Sequence, residues 1–115
     1  MVSLKHYALS VALLSAVMIN AFTGPSTFYT PYGFVPGACG VIAESDGVSL
    51  SISLYDSSAH CGESIQVQYN GRTITVKVAD ECTSCAANGI ELAADAFQQL
   101  DSLNKGIIPV TWNYV

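Results

Sequence analysis

The chain has 115 residues, of which 50% are hydrophobic and 11% charged, and its formal net charge is −5. That length bounds it to one small domain with a single core. The acidic balance argues against nucleic acid, which needs a basic footprint, and against attraction to anionic membranes; it fits a neutral or a basic partner.

In chain order, Lys5 and His6 open a short basic start, Tyr7 to Ile19 form a nearly continuous apolar run, and small Ala21 follows. This is the layout of a secretory signal peptide. The run is shorter than the roughly 20 residues of a comfortable membrane span. Cleavage is expected after Ala21, so residues 1–21 form the signal and residues 22–115 a secreted, extracellular domain with a net charge of about −6. An uncleaved anchor is the alternative. Phe22 to Gly40 is rich in Gly, Pro and aromatics. Within it Ser26 to Thr30 has strand-forming residues, and Pro31, Gly33, Pro36 and Gly37 then force an irregular loop. Tyr32 and Phe34 in that loop either offer flat faces for stacking on sugar rings or cover the core. Asp46-Gly47 signals a turn, after which Val48, Leu50, Ile52 and Leu54 alternate with serines as in a half-buried strand.

Glu63 to Cys85 carries the strongest local signal. Ile65, Val67 and Tyr69 alternate with polar residues, Asn70-Gly71 interrupts, and Ile74, Val76 and Val78 resume the alternation. Asn-Gly between two such runs predicts a β-hairpin, because both central turn positions need φ > 0. The second strand delivers Asp80 to its carboxyl end, with Glu81 a solvated neighbour pointing the other way. Beyond it, Ile90-Glu91-Leu92 extends a strand, and Ala93, Ala94, Phe97 and Leu100 mark one face of a short helix. Ile107 to Val115 is the last strand, with Ile108, Val110, Trp112 and Tyr114 on one face and Pro109 implying an edge or a bend. The elements describe a mainly β domain, a small barrel or sandwich.

Cys39, Cys61, Cys82 and Cys85 all lie beyond the signal, and an even count in a small secreted chain implies two disulfides. Three connectivities are open. The Cys82–Cys85 spacing also admits a redox pair or half a zinc site. A redox CxxC opens a helix in a βαβ setting, whereas this one follows a strand. Zinc would need two further ligands, and His60 stands alone once His6 leaves with the signal. A structural bridge is therefore expected, with no metal and no cofactor.

The order of the motifs STFYT, ACG, HCG, VKVADEC, IELAADAF and GIIPVTW resembles the rare lipoprotein A-like and expansin-like family, most closely its short, secreted fungal members called loosenins. The resemblance covers roughly Ser26 to Val115. It implies a six-stranded double-psi β-barrel with one or two short helices, and disulfides Cys39–Cys61 and Cys82–Cys85. It also implies a groove in which Thr27 and Tyr29 on the first strand face Asp80 in VAD. Glu91 falls where the family usually has a second aspartate, and Ala93 where it usually has a serine. The longer Glu91 side chain shifts its carboxylate by about 1 Å, a displacement to which site geometry is sensitive.

Asp80 and Glu91 are a candidate catalytic carboxylate pair, since glycoside hydrolysis uses two carboxyl groups across the scissile bond. A turn-capping role for Asp80 is the structural alternative. The first functional reading is a monomeric, non-hydrolytic protein that binds or loosens cell-wall polysaccharide (cellulose, chitin or a peptidoglycan-like polymer), holding it with Thr27, Tyr29, Tyr32, Phe34, Asp80 and Glu91. The second is a protein-binding module, such as a cysteine-protease inhibitor or effector, and the third a weak glycosidase or lytic transglycosylase.

Overall fold

The structure is a computed structural model that describes residues 21–31, 35–42 and 44–115. The expected signal peptide up to residue 20, and the loop aromatics Tyr32 and Phe34, lie outside the described residues. Six strands close into a barrel: β1 (Phe22–Tyr29), β2 (Gly47–Ser51), β3 (Ser64–Tyr69), β4 (Arg72–Cys82), β5 (Ile90–Ala93) and β6 (Ile108–Tyr114). Around the barrel they run β1-β5-β2-β4-β3-β6, with β1–β5 and β2–β4 parallel and the remaining pairs antiparallel. This is the six-stranded double-psi barrel, with α1 (Ile52–Tyr55) after β2 and α2 (Ala94–Leu100) after β5.

The inward-facing residues form one core. Val48, Leu50, Ile65, Val67, Val76, Val78, Ile90, Leu92, Ile108, Val110 and Trp112 are buried, and Phe97 of α2 closes one side against Phe28. Their period-2 spacing is what the alternation in the sequence encodes. The β3–β4 hairpin turns at Asn70 and Gly71 with φ of 47° and 82°, the left-handed pair that an Asn-Gly turn supplies.

Three expectations are corrected. The strand expected to carry the alternation through Leu54 stops at Ser51. Its pairing with β5 ends at Leu50 and with β4 at Ser51, so the following backbone satisfies its hydrogen bonds locally in the single turn of α1 and leaves Ile52 57% exposed. The first strand is longer than Ser26–Thr30: it begins at Phe22 and takes in Gly24 and Pro25. Pro109 marks no edge, because the barrel is closed. It lies opposite Pro25, and each proline sits before its strand's pairing with its other neighbour begins, at Ser26 and Thr111 respectively. The missing N–H groups therefore cost the ladder little there.

Both disulfides are Cys39–Cys61 and Cys82–Cys85, with Cα–Cα distances of 5.5 and 5.4 Å. The first ties the loop after β1 to the segment before β3. The second closes the turn at the end of β4.

Candidate functional site

A transverse row of side chains crosses four neighbouring strands on the outer face of the barrel. Thr27 of β1 pairs with Glu91 of β5, Glu91 with Ser49 of β2, and Ser49 with Asp80 of β4. The row depends on an irregularity in β4. Val48 pairs with Val78 but Ser49 with Asp80, so Ala79 is an extra residue, a β-bulge. In an unbroken ladder Ser49 would face Ala79, and Asp80 would share the inward face of Val76 and Val78. The bulge turns Asp80 outward, the re-aiming of a side chain that bulges provide. Glu81 then points to the opposite face from Asp80 and is half-buried, not the solvated neighbour expected.

Asp80 is fixed by the loop above it. Its Oδ1 accepts hydrogen bonds from the backbone N–H of Ala38 at 2.7 Å and of Glu81 at 2.8 Å. The loop approaches so closely that a Cβ on Gly37 would stand 2.7 Å from Asp80 Cγ and 2.8 Å from the Ala79 carbonyl oxygen. Cys39 N–H also bonds the Ala79 carbonyl at 3.3 Å, and the Cys39–Cys61 bridge anchors the same loop. The capping and groove roles weighed for Asp80 are thus compatible: one oxygen caps the loop, and the side chain still lines a cleft.

That cleft has a volume of about 220 Å³, with Asp80, Glu91 and Ser49 on its floor and Tyr29, Pro31 and Pro36 among its walls. Tyr29 pairs with Ala93, and its phenol reaches toward β2 until a Cβ on Gly47 would be 2.6 Å from the hydroxyl. Small residues at 47 and 93 make room for this ring. The Tyr29 hydroxyl is buried with no hydrogen-bond partner among the described residues. Burial first, then the charges of Asp80, Glu91 and Asp46, pushes it up to about 12, so the phenol stays a neutral donor. Burial, followed by the Asp80 charge, raises the Glu91 carboxyl above its ordinary value, and a hydrogen bond with Thr27 offsets part of that.

Tyr29, Asp80 and Glu91 therefore share one cleft. Thr27 adjoins it through Glu91 but lines a neighbouring hollow. Tyr32 and Phe34 lie outside the described residues, although Pro31 and Val35 on either side of them both border the cleft. Ser49, Gly37 and Gly47 were missed by sequence reasoning. Alternation sets Ser49 on the outer face, where it reads as ordinary solvent-facing polarity. Only the tertiary cover leaves it 3% exposed between two carboxyl groups. His60 is occupied elsewhere, with Nδ1 2.7 Å from Glu63 Oε2 and its ring stacked on Tyr114. Among the described residues no group of three or more His, Cys, Asp or Glu is placed to hold a metal ion.

Comparison with known proteins agrees with this architecture. A double-psi β-barrel family model described as lytic transglycolase matches residues 47–112. A papain inhibitor of Streptomyces mobaraensis is 37% identical over 81% of this chain and 71% of its own length. An EG45-like domain containing protein of Citrus jambhiri is 29% identical over 91% of this chain and 89% of its own. Among solved structures, a mutant Clavibacter michiganensis expansin in complex with cellohexaose superposes with a TM-score of 0.76 at 31% identity, covering 83% of this chain. The chain spans half the length of that expansin. With the closed barrel, both disulfides and the matched strands in agreement, the chain belongs to the rare lipoprotein A-like, expansin-like double-psi β-barrel family.

Proposed function

We propose that this is a secreted protein of the expansin and loosenin type that binds and loosens cell-wall polysaccharide without hydrolysing it. The observation that carries the reading is the Glu91–Ser49–Asp80 row beneath an open cleft, with Tyr29 at its wall. Sugar hydroxyls donate to the carboxylates. Among the described residues no Lys or Arg lines the cleft, so a neutral polymer suits it better than an anionic one. Pro31, Val35 and Pro36 supply apolar contact for sugar faces, and Tyr32 and Phe34 are proposed to stack beside them. The complex of the related expansin with cellohexaose supports a glucan as ligand.

Binding is favoured over cleavage because Glu91 stands where the family usually has an aspartate, which shifts that carboxylate by about 1 Å, a displacement to which catalytic geometry is sensitive. Glycoside hydrolysis asks for two carboxyl groups placed across the scissile bond, one protonated and one ionised. The test is retention of the folded protein on insoluble cellulose and chitin, with reducing ends measured in the supernatant. Retention that is lost in Asp80→Asn, without release of reducing ends, is expected. Absence of retention on any wall polysaccharide sinks the reading, and release of reducing ends replaces it with a glycosidase.

The likeness to a papain inhibitor over 71% of that protein's length favours one second reading, a protein-binding module acting through exposed loops. Papain inhibition by the wild type that survives Asp80→Asn supports it.

A further inference from the structure

Thr27 does not open into the cleft that holds Tyr29 and Asp80. It lines a second hollow of about 240 Å³, bounded by Pro25, Ile107, Ser84 and Cys85. The two hollows meet at the Thr27–Glu91 pair, which occupies adjacent positions on β1 and β5, strands about 4.8 Å apart. Both are polar residues on the same outer face, so the saddle between the hollows is polar. Beyond it, the Ser26–Ile108 pairing brings the next residue of the β6 side, Ile107, alongside Thr27. Ile107 is 57% exposed, and it has no core role to account for its apolar side chain. The Cys82–Cys85 bridge holds Ser84 and Cys85 at the rim. Among the described residues no charged residue lines this second hollow.

We infer that the second hollow is a further sugar-ring subsite, so that one neutral polysaccharide chain crosses the Thr27–Glu91 saddle and occupies both hollows. The inference rests on the polysaccharide-binding reading above. Its chemistry follows from the lining. Pro25 and Ile107 offer aliphatic contact to the C–H face of a ring, and Ser84 and Thr27 offer hydroxyl partners for its edge. The Thr27–Glu91 pairing sets a hydroxyl and a carboxylate side by side beneath the chain that crosses the saddle. A short oligosaccharide fills one hollow, and a longer one fills both.

The test compares cellotriose and cellohexaose by isothermal titration calorimetry on the full domain. The wild type is expected to bind the hexaose at least tenfold more tightly. Ile107→Asp removes the apolar contact and is expected to weaken hexaose binding by about tenfold, leaving the triose unchanged. Ser84→Ala, at an exposed position, is expected to weaken the hexaose alone by a smaller factor and serves if Ile107→Asp fails to fold. Equal effects on both oligosaccharides, or no effect of either variant on the hexaose, overturn the second subsite while leaving the first cleft standing. Binding of neither oligosaccharide by folded wild type overturns both readings together.

Discussion

Gly47 and the Tyr29 hydroxyl are predicted to be energetically coupled. A Cβ at position 47 would stand 2.6 Å from the Tyr29 oxygen and 3.1 Å from the Glu44 carbonyl oxygen. Ordinary contact begins at 3.4 Å, so in Gly47→Ala the phenol must retreat by about 0.8 Å. Tilting a half-buried ring off its rotamer by that amount costs roughly 0.5–1.5 kcal/mol, and the local overpacking adds to it. A total of about 1–2 kcal/mol is expected. Tyr29→Phe alone should be nearly neutral, because the lost hydroxyl is buried without a partner. In the Phe background Gly47→Ala should also be nearly neutral. The Gly47 backbone is outside the left-handed region, and losing a glycine stiffens the unfolded chain by roughly 0.4–1 kcal/mol, enough to offset the remaining contact with Glu44. The assay is urea unfolding of the wild type, both single variants and the double variant, supported by melting curves in which about 1 kcal/mol moves Tm by roughly 4–8 °C. A coupling energy below about 0.5 kcal/mol, the range of additive sites, would refute the packing of Tyr29 against Gly47.

Asp80→Asn keeps a carbonyl oxygen for the loop N–H of Ala38 and the strand N–H of Glu81 and is expected to change stability by under about 0.5 kcal/mol, whereas Asp80→Ala orphans both donors and should cost about 1–2 kcal/mol by thermal melting. Equal losses in the two variants would contradict the capping geometry. Glu91, with its folded pKa raised, holds its proton more tightly folded than unfolded. Its stabilising contribution is therefore present below about pH 4.5, the unfolded value, and lost as pH rises through the folded pKa. Glu91→Gln should gain on the wild type across that window in urea midpoints, and a pH-independent difference would count against it. Removing Cys39–Cys61, with a sequence separation of 22, should cost up to roughly 3.4 kcal/mol, against roughly 1.9 for Cys82–Cys85, with a separation of 3; melting the two double-serine variants checks the order.

The sequence by itself determined the strands whose alternation reports a buried face, the Asn70-Gly71 hairpin, the short helix around Phe97 and the last strand ending near Tyr114. These are local: a period of 2 or 3.6, or a turn with φ > 0, is written in neighbouring residues. Motif order added the barrel, the cysteine pairing and the company of Tyr29, Asp80 and Glu91. The failures have a common cause. Ile52 and Leu54 continue the alternation of β2, but a strand ends where its partners end, and partners are not local. Pro109 lies opposite Pro25 for the same reason.

Only the tertiary structure decided the site. Unbroken alternation from Val76 and Val78 would carry Asp80 inward, and the extra residue Ala79 becomes visible only against β2, as a jump from the Val48–Val78 pair to the Ser49–Asp80 pair. Ser49 joins the site because two other strands bring Glu91 and Asp80 to either side of it. Thr27 and Tyr29, two residues apart on one strand face, open into different hollows because Glu91 meets Thr27 while Tyr29 reaches past Ala93 toward Gly47. A sequence records which residues can face outward; which outward faces share a cleft depends on the register between strands distant in the chain.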